Sequence, residues 1–105
     1  MSVDLDSLAV RNNETEKRFE VEVNGQMALL EYIRAGQNIT YTHTEVPVAL
    51  KGMGIGGKLA RHALEFARDN DLKVIPICPF VTSYLRTHPE FHHIVFGYKG
   101  KGSSA

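Results

Sequence analysis

A glycine-rich turn between a predicted strand and a predicted helix limits what this chain can fold into more than any other feature. Four of the nine glycines in the 105-residue chain fall within six positions, in the segment Lys51-Gly52-Met53-Gly54-Ile55-Gly56-Gly57-Lys58. Glycine lets the backbone approach a ligand closely, and the first N–H groups of a helix have no intrahelical partner. The positive end of the helix dipole and two flanking lysines add favourable charge. The turn is therefore a candidate phosphate-binding site.

Before this turn the sequence predicts three antiparallel strands. Apolar and charged residues alternate over Lys17–Val23, which is the two-residue period of a strand. Asn24-Gly25 predicts a two-residue hairpin turn, because both residue types tolerate positive φ. Strands over Gln26–Ile33 and Ile39–Val46 complete a meander. Residues 1–15 show little periodicity and are predicted to form a tail or lead-in.

After the turn the sequence predicts a helix and one more strand. Apolar residues recur at helical spacing from Gly56 to Arg68, and a short apolar strand follows over Leu72–Cys78. A strand–helix–strand unit of this length makes its second strand parallel to its first. A short helix over Val81–Arg86 and a flexible tail over residues 99–105 follow. We expect one α/β domain over residues 16–98, with an antiparallel meander, a βαβ unit and a short C-terminal helix.

Composition narrows the classes of partner. Twelve basic and twelve acidic residues give no net charge, so we expect neither nucleic acid nor an anionic membrane as a partner. No apolar run is long enough to span a membrane, and the start does not resemble a signal peptide. The single Cys78 cannot form an internal disulfide, which favours the cytoplasm. His88, His92 and His93 lack the spacing of a zinc site, so we expect no metal.

Two nucleotide-binding motifs match the turn only in part. Gly52 to Gly57 followed by Lys58 has the spacing of a triphosphate-binding P-loop, but Leu59 stands where that loop needs a hydroxyl for magnesium. Gly52, Gly54 and Gly57 also have the spacing of the dinucleotide-binding turn. That fold requires an acidic residue about 20 positions later, and the chain has none there. Both motifs are therefore disfavoured.

A third match covers more of the chain. Lys51 to Gly56 resembles the Gln/Arg-x-x-Gly-x-Gly/Ala signature of the GNAT superfamily of acetyl-coenzyme A transferases, with lysine in the first position. Lysine keeps the charge of arginine but loses its planar fork. The ordered segments His43-Thr44-Glu45-Val46-Pro47, Pro76-x-Cys78-Pro79 and Val81-x-x-Tyr84-Leu85 extend the likeness over about residues 12–98. Together they resemble the minimal single-domain GNAT-like family, which lacks the first helices of the full fold.

This resemblance implies a cofactor and a place for it. In the GNAT fold the strands before and after the helix splay apart and hold acetyl-CoA between them. The pantetheine arm is then expected to pair with the backbone around Val46 and Val48. The pyrophosphate is expected on the backbone N–H groups of the turn, with charge from Lys51 and Lys58. The implied cofactor-binding residues are Val46, Val48, Lys51, Gly52, Met53, Gly54, Ile55, Gly56, Gly57 and Lys58.

Four residues are candidates for the chemistry of acetyl transfer, which needs a base for the amine and a proton for the leaving thiolate. Glu45 could act as the base through a water, and His43 shares its strand face and could relay a proton. The resemblance implies Cys78 as an acetyl acceptor or a neighbour of the cofactor sulfur, and Tyr84 as the proton donor. Each has a structural alternative: an exposed carboxylate, a hydrogen-bonded histidine, a buried thiol and a core aromatic residue.

The sequence thus predicts an acetyl-CoA-dependent N-acetyltransferase acting on a primary amine, on either a small molecule or a protein. One alternative is a non-catalytic CoA- or acyl-CoA-binding module, because the missing helices normally build one wall of the acceptor pocket. Another is a protein-interaction domain with an unused turn. A monomer or a weak homodimer is expected.

Overall fold

Five strands form a single sheet, and their order in the sheet follows their order in the chain. The computed structural model describes residues 5–98. The strands are β1 (Arg11–Asn13), β2 (Arg18–Val23), β3 (Gln26–Ala35), β4 (Asn38–Glu45) and β5 (Lys73–Pro76). Neighbouring strands are antiparallel except β4 and β5, which run parallel. The predicted meander and the parallel last strand are confirmed.

The turn between β2 and β3 has the predicted two residues. Asn24 and Gly25 have φ angles of 50° and 78°, and Val23 is paired with Gln26 across the turn. Positive φ at both central residues is what a type I′ hairpin requires. The local sequence therefore determined the register of this hairpin.

Strand β1 lies within the segment for which the sequence predicts only a tail or lead-in. Its three residues are too few to show an alternating pattern, and polar contacts attach it to the sheet. The carboxylate of Glu20 on β2 is buried and accepts hydrogen bonds from Asn13 at 3.0 Å and Arg18 at 2.6 Å, and from Arg11. Burial alone would raise the pKa of Glu20, but these bonds outweigh it and lower the pKa from 4.5 to about 2. Tyr32 on β3 also donates to Asn12 at 2.7 Å.

Helix α1 (Ile55–Asp69) packs across one face of the sheet and closely matches the predicted span. Its buried residues recur at helical spacing and meet the inward-facing residues of β2, β3 and β4. The hydroxyl of Tyr41 donates to the carbonyl of Ala63 across this interface at 2.6 Å. The helix residues in this core are Ile55, Gly56, Leu59, Ala60, Ala63, Leu64 and Ala67.

Helix α2 (Pro79–Arg86) follows β5 and begins two residues earlier than predicted. Proline suits the first helical position, because the N–H that it lacks would have no helical partner there. A 3₁₀ segment, Pro89–Ile94, then returns the chain to the outer edge of β5, where Val95 is paired with Val74. The tail predicted over residues 99–105 lies outside the described residues.

Strands β4 and β5 separate halfway along β4. Their pairing runs only from Asn38 with Lys73 to Tyr41 with Pro76. The carbonyl of Tyr41 accepts the N–H groups of residues 77 and 78, after which the chain turns into α2. The register of β3 and β4 also shifts between Glu31 and Tyr32, so that Thr42 is an extra residue that bends β4. The expected splay is therefore present, and β4 continues to Glu45 beyond the last pair with β5.

Candidate functional site

A cavity of about 480 Å³ lies where β4 leaves β5 and faces the first turn of α1. It is formed by the end of β4, the glycine turn, the start of α1 and one aromatic residue of α2. Seven of the ten predicted cofactor-binding residues line it, while Val48, Met53 and Lys58 lie outside the lining. The lining residues are Thr44, Glu45, Val46, Leu50, Lys51, Gly52, Gly54, Ile55, Gly56, Gly57 and Phe80.

The glycine turn has the backbone of an anion-binding site. Gly52 and Gly54 have φ angles of 83° and 82°, which side-chain-bearing residues rarely adopt. Among the residues that the structure describes, no heavy atom lies within 4 Å of a Cβ placed on Gly52. The N–H of Lys58 donates to the carbonyl of Gly54 at 3.1 Å, so the N–H groups of residues 55–57 precede the first helical hydrogen bond. These groups are suited to bind a phosphate.

Two of the four glycines also have packing reasons that the sequence did not reveal. A Cβ on Gly56 would lie 2.7 Å from Cζ of Phe80, so the ring of Phe80 packs directly against this glycine. A Cβ on Gly54 would lie 2.9 Å from Cδ1 of Leu5, in the short 3₁₀ segment before β1. The sequence-based reason, that a side chain would occupy the phosphate position, is thus incomplete at these two positions.

His43 and Glu45 lie on the opposite face of β4 from the core. They are paired with Glu31 and Leu29 of β3, whereas Thr44 is paired with the buried Leu30. Residues paired directly across a sheet have side chains on the same face. Nε2 of His43 is 3.3 Å from Oε1 of Glu45, and both side chains are exposed. The predicted histidine–glutamate pair is therefore formed, and Glu45 also lines the cavity.

Cys78 is buried, with 1% of its surface exposed, and lies at the N-cap of α2 rather than at the end of β5. Its Sγ is 3.1 Å from Oγ1 of Thr44. Thr44 lines the cavity and Cys78 does not. The hydroxyl of Thr44 is thus the polar group that connects the cavity wall with the buried sulfur.

Tyr84 lies in α2 as predicted, but outside the lining of the cavity. Its ring stacks on His88 with centroids 3.7 Å apart and planes within 3°. The nearby phenol of Tyr84 is the largest of the influences that raise the pKa of Arg61 of α1. The ring of Tyr84 therefore packs on His88 and beside α1, outside the lining of the cavity.

Comparison with known proteins agrees with this geometry. Residues 18–94 match the sequence profile of the GCN5-related N-acetyl-transferases. The chain belongs to the GCN5-related N-acetyltransferase family. Protein NATD1 of Xenopus tropicalis is 34% identical over 86 residues, which are 79% of each chain. Human Protein NATD1 is 35% identical over 85 residues, which are 78% of this chain and 75% of that protein.

A solved structure supports the same fold. The solution structure of a GCN5-like protein from Staphylococcus aureus superposes with a TM-score of 0.67 and 28% sequence identity. The match covers 90% of this chain and 93% of that one. The GNAT resemblance seen in the sequence is confirmed, and so is the reduced GNAT-like α/β fold. Members of this family in general transfer an acetyl group from acetyl-CoA to an amine, which supports acetyltransferase activity in general for this chain.

Three lining residues of this GNAT cavity were absent from the sequence-based set. Leu50 and Phe80 are apolar, and single apolar residues carry no motif by which a site could be recognised. Thr44 lies inside the His43–Pro47 segment, but nothing in the sequence distinguishes it from the other threonines of β4. Only the placement of α2 against α1 brings Phe80 to the turn.

The histidines of the C-terminal segment bond to the protein itself. Nδ1 of His88 is 2.8 Å from the carbonyl of Tyr84, and Nε2 of His92 is 2.6 Å from the carbonyl of Leu85. Within residues 5–98, no three His, Cys, Asp or Glu side chains come together in a way that could hold a metal ion. In the same part of the chain, no helix has the length and apolar character needed to cross a membrane.

Proposed function

We propose that this chain is an acetyl-CoA-dependent N-acetyltransferase that acts on a primary amine. The observation that carries the proposal is the cavity itself, which extends from the glycine turn to the end of β4. One wall offers helix N-terminal N–H groups, which suit a pyrophosphate. Another wall is the backbone of β4 beyond its last pair with β5, which suits the amides of a pantetheine arm. Bound acetyl-CoA would supply the thioester from which the acetyl group is transferred.

Residues at the two ends of the cavity have different tasks. Lys51 is exposed beside Gly52 and adds charge for the phosphates. Glu45 lines the cavity and lies on the exposed face of β4, from which an amine can approach. Its carboxylate is proposed to accept the proton of the amine, directly or through a water, and His43 at 3.3 Å is proposed to pass that proton to solvent. The cytoplasm, favoured by the single cysteine, remains the proposed compartment.

A second candidate function, a non-catalytic acyl-CoA-binding module, has one observation in its favour. Two of the four predicted catalytic residues do not line the cavity, namely Tyr84 and the buried Cys78. A binder needs the glycine turn but no proton donor at the thioester. Both candidate functions therefore predict that the protein binds CoA, but only the acetyltransferase predicts turnover.

The first test is a titration of CoA and acetyl-CoA into the wild type and two variants of Gly57. This glycine lines the cavity within a regular helix turn, and the atom nearest to an added Cβ is Cε2 of Tyr84 at 3.8 Å. Gly57→Glu places a carboxylate where the phosphates are proposed to bind, while Gly57→Gln has the same shape without the charge. We expect binding by the wild type, weaker binding by Gly57→Gln and the weakest by Gly57→Glu. Absence of CoA binding by folded wild type would refute both candidate functions.

The second test separates the enzyme from the binder. Free CoA is quantified by chromatography after incubation of acetyl-CoA with a polyamine, free amino acids or a lysine-containing peptide. An N-acetyltransferase releases CoA faster with at least one amine and gives the acetylated amine by mass spectrometry. Tight binding without amine-dependent release over this panel would favour the binding module. Gly57→Glu serves as the matched control, because any CoA that it still releases does not depend on the proposed phosphate-binding turn.

A further inference from the structure

Thr44 is the one cavity-lining residue that combines a hydroxyl group with a contact to the buried sulfur. It is paired with Leu30, so its side chain is directed to the helical side of the sheet. It is also β-branched, which restricts its side chain to few rotamers. Its hydroxyl is therefore held at the position where β4 and β5 have just separated.

Cys78 is held in place by three hydrogen bonds of its backbone. Its N–H donates to the carbonyl of Tyr41 at 2.8 Å, and its carbonyl accepts the N–H of Thr82 at 3.0 Å and the Thr82 hydroxyl at 3.1 Å. These bonds anchor the N-cap of α2 to β4. Because Cys78 is buried and outside the cavity lining, a ligand in the cavity meets the hydroxyl of Thr44 rather than the thiol.

The hydrogen-bonding capacities of Thr44 and Cys78 indicate which of the two groups can donate into the cavity. A hydroxyl has one donor and two acceptor sites, while a thiol is a weak donor and a weak acceptor. When the S–H of Cys78 donates to Oγ1 of Thr44, the O–H of Thr44 remains available to donate into the cavity. The hydroxyl of Thr82 nearby is committed, since it bonds the carbonyls of Pro76 and Cys78.

We propose that Thr44 is a catalytic residue of this site, whose hydroxyl donates a hydrogen bond to the cofactor sulfur, and that Cys78 is a positioning residue that acts through Thr44. This inference rests on the proposed acetyl transfer. In that reaction the C–N bond forms, the C–S bond breaks, and the electron pair of the broken bond stays on the departing sulfur. The proton of the amine leaves through Glu45, and solvent returns a proton to the sulfur. Thr44 keeps its own proton and stabilises the negative charge that develops on sulfur.

Four single variants test the assignment. Thr44→Val removes the hydroxyl at nearly constant shape, and Thr44→Ser restores it. Cys78→Ser keeps a donor toward Thr44, and Cys78→Ala removes it. With folding checked by thermal unfolding, we expect Thr44→Val to lower kcat by roughly 10–100-fold, while the Kd for CoA rises only by the roughly 3–10-fold that one lost hydrogen bond gives. Thr44→Ser and Cys78→Ser should keep most of the activity, and Cys78→Ala should lie between.

A binding measurement tests the contact without turnover. Desulfo-CoA, which lacks the sulfur, is titrated in parallel with CoA. The wild type is expected to prefer CoA by roughly 3–10-fold, as one hydrogen bond would give, and Thr44→Val should lose that preference. If the wild type shows this preference but no turnover, the proposed enzymatic function is refuted, while the contact between Thr44 and the cofactor sulfur is supported. If Thr44→Val prefers CoA over desulfo-CoA as strongly as the wild type does and also has a normal kcat, the proposed role of Thr44 is overturned.

The alternative in which Cys78 accepts the acetyl group gives a different pattern. Cys78→Ser would then be as inactive as Cys78→Ala, and intact-mass analysis of the wild type after incubation with acetyl-CoA would show an acetyl adduct absent from both variants. That result would overturn the positioning role of Cys78. No adduct and an active Cys78→Ser variant are the results expected here.

Discussion

Replacing Gly57 by alanine should stabilise the protein and weaken CoA binding at the same time. Gly57 is the third residue of α1, and alanine is favoured over glycine within helices by up to about 1 kcal/mol. The added Cβ would lie 3.8 Å from the nearest neighbouring atom, Cε2 of Tyr84, which is an ordinary contact without steric cost. A gain of about 0.5–1 kcal/mol corresponds to a Tm increase of roughly 2–8 °C for a domain of this size.

The same methyl group lies in the wall of the cavity. If the N–H of this turn binds a phosphate oxygen, the methyl group hinders the close approach that a charge-assisted hydrogen bond needs. Such a bond contributes about 1.5–3 kcal/mol, so we expect Kd for CoA to rise by roughly 10–100-fold. Calorimetric titration and thermal unfolding of the same sample measure both effects.

Gly36→Ala is the matched control, because it should give the opposite signature. Gly36 has a φ of 59° in the turn before β4 and lies outside the cavity lining, with no atom near an added Cβ. Alanine is strained there, so Tm should fall while Kd stays constant. A Gly57→Ala variant with raised Tm and unchanged Kd would refute the placement of the phosphates at this helix turn. A lowered Tm would contradict the description of α1 from Ile55 onward.

Three further perturbations have defined outcomes. Glu20→Gln should cost on the order of 1–3 kcal/mol in urea unfolding at pH 7, because the charge-assisted bonds to Arg11 and Arg18 are lost. Folding lowers the pKa of Glu20 from 4.5 to about 2. The contribution of Glu20 to stability is therefore complete above pH 4.5 and is lost as the pH falls toward 2. A difference in unfolding free energy between the wild type and Glu20→Gln that stays constant down to pH 2 would contradict this assignment. Tyr41→Phe should cost about 0.5–1.5 kcal/mol through the lost bond to the Ala63 carbonyl, and an unchanged urea midpoint would show that this bond contributes nothing. Lys51→Ala should weaken CoA binding most at low salt, because its exposed charge is screened at high ionic strength, and a loss independent of salt would point to a packing role instead.

The sequence predicted the elements whose information is local. The alternation in β2, the Asn24-Gly25 turn and the apolar stripe of α1 each specify their own structure within a few residues, and all three are confirmed. β1 was missed because its three residues carry no pattern of their own, and the side-chain bonds that tie it to the sheet go to Glu20 and Tyr32. Those partners are seven to twenty positions away and appear in no local pattern.

The site was predictable to a similar extent. The glycine turn is evident from composition alone, and the residues from Lys51 to Gly57 line the cavity with the exception of Met53. The side chains that complete the site could not be predicted, because they depend on how α2 packs. Phe80 reaches Gly56 and Cys78 turns inward to Thr44, and both placements depend on contacts between separate elements.

The parting of β4 and β5 has a consequence for the free protein. Beyond Tyr41, no strand among residues 5–98 neighbours one side of β4, so an open edge lies within the sheet rather than at its border. An open edge is where backbone amides exchange readily with solvent and where another chain can add a strand. Deuterium uptake should therefore be fast in the free protein at those backbone amides of residues 42–45 that face the gap rather than β3, and it should slow there when CoA is added. Storage with CoA should then also reduce self-association of concentrated samples.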